Sequence, residues 1–535
     1  MKGPQRLAAD AAQLAAVAQR LESRRLEPED YELLKVVIDT VSYLSRVVQQ
    51  KATSIQRLLR LIFGARTEKT ATVLNRAAPD RPADKETTDG AKAKRKGHGR
   101  RAAETYSGAK KVLVPQEEFK AGDACPACNQ GKLYDTQRPA VLLHLHAQPI
   151  IAATRFELEK LRCALCGKLF SATAPSEAGQ DKYNDNVAPM LAVMRYGYGM
   201  PMNRIEQMQQ DAGVPLPAGT QWELVQVHAK ELEPIWKEFL RQAANAAVFY
   251  NDDTTARILS LEKQIREADV LPTDGNKQRT GIFTTSIIAT QAERTFALFF
   301  SGGQHAGENL QDVLDRRCAE LASPIQMCDG LSRNKPSVTA TEMANCNSHG
   351  RRGFVTVADV FPEECTHVLE VMRQVYKHDE QTRREAMSDE QRLLFHRQHS
   401  GPMMDALKLW MEEKLSGKHV EPNSSLGEAM TYVLKRWKPL TLFLRKPGAP
   451  LDNNICERAL KTAIRHRNNS LFYKTENGAH VGDLFMSVIN TCRLARADPF
   501  HYLTTLRRYI RHVRDDPAAW LPWNYQTTVA ALAGI

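Results

Sequence analysis

No run among the 535 residues approaches the roughly 20 consecutive apolar positions that a membrane-spanning helix requires. A secretory leader is not expected either, because Asp10 and Gln13 interrupt the first apolar stretch, MKGPQRLAADAAQLAAVAQ. Cysteine is sparse, with ten residues, and four of them form two C-x-x-C pairs; in a chain without a secretory signal such pairs hold a metal more often than they form disulfides. Acid is the minority charge: 62 Asp and Glu stand against 73 Lys and Arg, a net +11 that suits an anionic partner or a solvated surface. These shortages argue against a membrane protein and a disulfide-framed secreted domain, and the expectation is a soluble, cytoplasmic protein. Apolar residues make up 42% of the chain, enough for packed cores, and the length allows three or four units at about 100 to 200 residues each.

What is present comes in blocks. From Leu34 a heptad register puts Leu34, Val41, Val48, Ile55 and Ile62 at a, and Val37, Leu44, Lys51 and Leu58 at d. β-Branched residues at a with Leu at d favour a two-stranded parallel coil; the alternative is an amphipathic helix packed on its own domain. Residues 76–111 lose apolar periodicity, and within them AKAKRKGHGRR carries Lys92, Lys94, Arg95, Lys96, Arg100 and Arg101 with no acid. Such a segment cannot fold alone, and either lies along phosphates, releasing counterions, or is a solvated tether. Cys125, Cys128, Cys163 and Cys166 follow, as CPAC and CALC around 34 residues with strand-like runs. Two knuckles of paired thiolates supply the ligands of a tetrahedral structural Zn²⁺, with a redox pair as the alternative. Residues 185–245 read as helices, and MNRIEQMQQDAGVPLPAGTQWELVQVHAK places a Gly-containing turn between two of them, as in a helix-turn-helix or in a helical hairpin without DNA contacts.

From NAAVFYNDDTT onward the period is that of strands. GIFTTSIIAT and RTFALFFSG predict a hairpin, NLQDVLDRRCAEL a helix and SPIQMCDG a short buried strand, the β-β-β-α-β opening of a ribonuclease H-like α/β core. Residues 331–450 return to helical patterns without a clear strand and read as an insertion, after which LDNNICERALK starts the next core helix. Strands one and four are neighbours in such a core and the helix packs over them, so an Asp of the first strand, Asp329 and Glu457 can converge across separations of 77 and 128 residues. Hard carboxylate oxygens suit Mg²⁺, and two such ions about 3.5 to 4 Å apart can activate a water and stabilise a departing 3′ oxygen in phosphodiester cleavage. Each acid also has a plainer reading. Asp252 and Asp253 point to opposite faces of their strand, so only one faces the site. Asp329 before Gly330 fits a turn aspartate, and Glu457, three residues after Asn454, fits a capping box. Cys346, His349, Cys365 and His367 have spacings that suit a second metal, against the alternative of buried cysteines and a hydrogen-bonded histidine.

Taken together, LLRLIFGARTEK, GHGRR, the two cysteine pairs, NDDTTARIL, CDG, CNSHGRRGF, LDNNICERALK and the ending DPFHYL…WLPWNY resemble, in order and over almost the whole chain, the large transposase of the insertion sequence sixty-six family. The resemblance implies a DDE transposase in which Asp252, Asp329 and Glu457 match the family's DET aspartate, DG aspartate and ERA glutamate and hold two Mg²⁺ ions, with Mn²⁺ as a substitute. Two positions depart from the family: Asp253 stands where Glu is usual, and Leu331 where an aromatic often follows DG. The implied architecture is multidomain α+β. It comprises a helical, coiled-coil dimerisation region (1–75), a basic flexible linker (76–115), a zinc-binding domain (116–180) and a helical DNA-binding region (181–245). The first part of the ribonuclease H-like core (246–330), an all-helical insertion (331–450), the last core part with Glu457 (451–484) and a C-terminal element (485–535) complete it. The implied partners are DNA, as the element's terminal inverted repeats and the target, at least one further copy of the chain, and two small proteins of the same element. Arg458, Lys461 and Arg465, beside Glu457, join the linker cations as expected DNA contacts. The implied setting is the bacterial cytoplasm, at the nucleoid when DNA is bound. Two rivals share these features: a zinc-containing DNA-binding protein that has lost catalysis, and a metal-dependent nuclease on the same core.

Overall fold

A computed structural model describes residues 11–38 except 24, residue 73, short pieces between 121 and 179, residues 181–268 and residues 281–534. The heptads beyond residue 38, the basic linker from Lys92 to Arg101, and Cys125, Cys128, Cys163 and Cys166 lie outside the described residues. The chain divides into two units, residues 82–152 and the remainder. In the first, Ala124 and Lys132 form an antiparallel bridge. In the second, helix α1 (Ala11–Glu22) is tied to the helical run that starts at residue 28 by Arg20, whose guanidinium donates twice to Asp30 at 2.8 and 2.7 Å. Strands β1 (Lys160–Arg162) and β2 (Leu169–Ser171) pair antiparallel.

Helices α2 (Met202–Asp211) and α3 (Ala218–Ala243) flank a turn at Gly213, whose φ of +73° is a left-handed value that favours glycine. The expected helix pair is therefore present. Its second member spends its apolar stripe on the protein interior, burying Leu232, Ile235, Trp236 and Phe239, and Phe239 meets Phe296 edge to face.

Five strands build one mixed sheet: β3 (Val248–Thr255), β4 (Phe283–Gln291), β5 (Arg294–Gly302), β6 (Ile325–Cys328) and β7 (Glu342–Asn345), in the order β5-β4-β3-β6-β7. β4 is antiparallel to both neighbours, while β6 runs parallel to β3 and β7 to β6. The β4–β5 hairpin closes over two residues, with Ala292 at φ +50°, as a tight hairpin turn of matching twist demands. Strands one and four of the expected core are thus neighbours. β7 corrects the all-helical reading of residues 331–450: its sequence, EMAN, has no strand-like alternation, and it is a strand because β6 offers a parallel edge.

After helix α4 (Ala306–Leu314) and these strands, the insertion is helical: α5 (Asn347–Val357), α6 (Pro362–Arg384), α7 (Asp389–His399), α8 (Gly401–Ser416) and α9 (Ser425–Lys435). α5, α6, α8 and α9 pack around Phe354, Leu369, Met372, Leu407, Met411 and Met430. Helix α10 (Asn454–Ser470) lies against β3 and β4, and α11 (Glu476–Leu494) against β5, running across the expected boundary at 484/485. α11 seals the sheet's edge. Asp483, Ser487 and Thr491, four residues apart on one helical face, accept the amides of Ser301, Phe299 and Ala297 at 2.7, 2.9 and 3.0 Å, so these edge amides of β5 are paired although no strand among the described residues lies beyond it.

The seal carries a pH signature. Burial pushes the Asp483 carboxyl up from 3.8 to about 7, against the pull of its bonds from Ser301. The folded chain therefore holds a proton that the unfolded chain releases, and stability falls as pH rises from about 4 to about 7. Asp483→Asn, which cannot ionise, is expected to flatten that fall by an amount on the order of a few kcal/mol, measured by denaturant unfolding across the window.

A three-carboxylate candidate site

The chain crosses itself where β3, β6 and the start of α10 meet. The link is Asn453, which is fully buried: its side chain donates to the carbonyl of Asn251 at 3.2 Å, and its backbone amide to Cys346 Sγ at 3.2 Å. Asn347 adds two bonds to the Leu451 carbonyl, from its amide at 3.1 Å and its side chain at 3.0 Å. The start of α10 is thereby fastened to the strand that carries Asp252 and to the start of α5.

Asp252, Asp329 and Glu457 are all partly buried and share one electrostatic patch. Burial pushes the Asp252 carboxyl up to about 7; the Asp253 amide, donating at 2.9 Å, pulls it down, and the negative charges of Asp329, Asp253 and Glu457 raise it further. The two aspartates of β3 have different neighbours. Asp253, with its side chain 2% exposed, lies 3.1 Å from His305 Nδ1 and 3.3 Å from a nitrogen of the Arg333 guanidinium.

Asp329 keeps the geometry of a turn aspartate: its Oδ1 accepts the Leu331 amide at 2.9 Å and the Asn334 side chain at 2.7 Å. Asn334 also ties the turn to the strand, because its carbonyl accepts from the side chains of Asn251 at 2.8 Å and Gln326 at 2.6 Å. Gly330 has φ +84°, and a Cβ there would lie 3.0 Å from both Arg436 Nε and Asn345 Oδ1. Tyr432 of the insertion donates to the Asp329 carbonyl at 2.9 Å, beneath the Arg436 guanidinium at 4.1 Å from its ring.

The capping-box reading of Glu457 is corrected. Asn453, not Asn454, is the cap residue, and its side chain turns to Asn251, so Glu457 stands one position too far into the helix to close the box. Asp452 accepts the Asn454 amide instead, at 3.0 Å. The Glu457 carboxylate is left facing His349 Nδ1 at 3.7 Å and an Arg352 nitrogen at 4.0 Å, and its Oε1 is buried without a hydrogen-bond partner. The four-residue second metal set is also corrected. Cys365 packs in the insertion core and His367 lies against Trp410 at 4.5 Å, while ligand atoms of Cys346, His349 and Glu457 gather within 4.8 Å of one another.

Arg458, Lys461 and Arg465 are exposed on α10, three and four residues apart, and so line one face that starts beside Glu457. Asn453, Asn334 and Tyr432 carry no sequence signal as parts of the site, because buried polar links between distant segments have no local signature. Asp252, Asp329 and Glu457 could hold a divalent cation on the chemistry of the donor set, hard carboxylate oxygens whose negative charges raise Asp252 beyond the effect of its burial.

The two aspartates of β3 give opposite expectations for stability without added metal. Asp253→Asn weakens the contacts of a buried side chain with His305 and the Arg333 guanidinium and is expected to cost about 1 to 3 kcal/mol. Asp252→Asn removes a crowded, half-buried acid and is expected to leave the melting temperature unchanged or higher. Thermal unfolding of both variants checks this.

A family profile described as "Transposase IS66 family" matches residues 183–481. An uncharacterized protein of Sinorhizobium fredii, y4jD, is 24% identical over 517 residues, covering 91% of this chain and 96% of its own length. A second from the same organism, y4hP, is 24% identical over 405 residues, covering 70% of this chain and 68% of its own.

Proposed function

The chain belongs to the IS66 transposase family, and from that premise we propose that it is a DDE transposase with a ribonuclease H-like catalytic core. In this reading it binds the terminal inverted repeats of its own element, cleaves the 3′ strands with water and joins the freed 3′ hydroxyls to target DNA. The observation that carries the reading is the shared patch: acids from β3, the β6 turn and α10 sit close enough for Asp329 and Glu457 to raise the Asp252 carboxyl. A purely structural fold has no use for three acids that repel one another in partial burial.

Asp252, Asp329 and Glu457 would hold Mg²⁺, which when bound supplies activation of the attacking water and stabilisation of the departing 3′ oxygen. The chain's own residues do the placing. Asn453 and Asn334 fix the acids against one another, while Arg458, Lys461 and Arg465 offer cations along which a phosphate backbone can run from the site. The sheet order, with the first strand flanked by an antiparallel hairpin and a parallel strand, supports the core assignment.

Supercoiled donor DNA carrying the element's ends, incubated with Mg²⁺ and each variant, tests the proposal. Asp252→Asn, Asp329→Asn and Glu457→Gln are each expected to lower end cleavage and strand transfer by on the order of a hundredfold or more while leaving end binding intact. Asp253→Asn is expected to act mildly and through stability. Wild-type cleavage by Glu457→Gln would remove the glutamate from the mechanism.

A further inference from the structure

His349 has no role in the reading above, yet it is the residue that the fold brings to Glu457. Two helix starts are fastened there. Cys346 Sγ, at the cap of α5, accepts the Asn453 amide at the cap of α10, so the first turn of one helix faces the first turn of the other. The sulfur is fully buried and already engaged by that amide, so Cys346 serves as a staple. His349 stands three residues on, with Nδ1 buried, without a hydrogen-bond partner and 3.7 Å from Glu457 Oε1. Glu457 Oε1 is the complementary orphan, an acceptor with no donor. A buried donor and a buried acceptor left unpaired cost about 1 to 3 kcal/mol each, and here a movement of less than an ångström closes one bond that satisfies both.

We propose that His349 is a positioning residue for Glu457: its Nδ1–H donates to one carboxylate oxygen and aims the other at the metal shared with Asp252 and Asp329. This rests on the three-carboxylate reading of the site. The ring makes no hydrogen bond through Nδ1 that would give it a purely structural task, and a quarter of its side chain is exposed. Arg352, on the next turn of the same helix, lies 4.0 Å from the other Glu457 oxygen.

Mn²⁺ binding to the full chain, with no DNA present, tests the inference. Free Mn²⁺ is followed by electron paramagnetic resonance. Removing an outer partner of a metal ligand typically weakens affinity by about 10- to 100-fold, and that is the loss expected for His349→Phe, which keeps a ring and removes the donor. His349→Asn, whose amide nitrogen can stand near the place of Nδ1, is expected to recover most of the affinity; a residue that only filled space would show the reverse order. Asp252→Asn separates the two claims. If it abolishes Mn²⁺ binding while His349→Phe binds as tightly as wild type, the positioning role is overturned and the carboxylate site stands. If Asp252→Asn binds Mn²⁺ like wild type, the carboxylate site falls and the role of His349 with it.

Discussion

One buried asparagine holds the candidate site together. Asn453 spends its side chain on the Asn251 carbonyl and its amide on Cys346, and so joins the strand bearing Asp252, the helix bearing Glu457 and the helix bearing His349 at one point. An asparagine at a helix start ordinarily caps its own helix. Here that service is given up, and Asp452 performs it from one position earlier. The exchange moves Glu457 out of capping range and leaves its carboxylate facing His349 and Arg352. A second asparagine, Asn334, does the same for Asp329 by linking its turn to β3 through Asn251 and Gln326.

The cost of this arrangement is electrostatic, and the chain confines it. Of the two adjacent acids on β3, Asp253 lies against His305 and the Arg333 guanidinium, whereas Asp252 has negative neighbours in Asp329 and Glu457. A strand's alternation makes this separation possible, since consecutive side chains leave opposite faces. Stability is recovered elsewhere, in the core of the insertion and in the seal that α11 places over β5. Crowded carboxylates in a well-supported frame are what a cation-binding site needs before the cation arrives.

Much of this was legible in the sequence. The hairpin of β4 and β5 is written in its β-branched and aromatic runs, and the adjacency of β3 and β6 followed from the expected strand order. Asp252, Asp329 and Glu457 stand out in the sequence through NDDTT, CDG and CERA. What escaped has a common physical cause. β7 is too short and too polar to show a period, and exists through its pairing with β6. The choice between Asp252 and Asp253 depended on His305 and Arg333, which reach β3 from distant segments. The cap of α10 was misplaced by one residue because Asn453 and Asn454 are alike in sequence and differ only in tertiary partners. His349 was noticed, but assigned to a cysteine and histidine set that the insertion pulls apart.

The central claim is that Asp252, Asp329 and Glu457 form a single cation site. Crystals of the full chain soaked in Mn²⁺ test it without dependence on DNA or turnover, because anomalous scattering locates the ion directly. The account predicts anomalous density in contact with all three carboxylates and none on Asp253. Density confined to Cys346 and His349, or none at the carboxylates at saturating Mn²⁺, would contradict it.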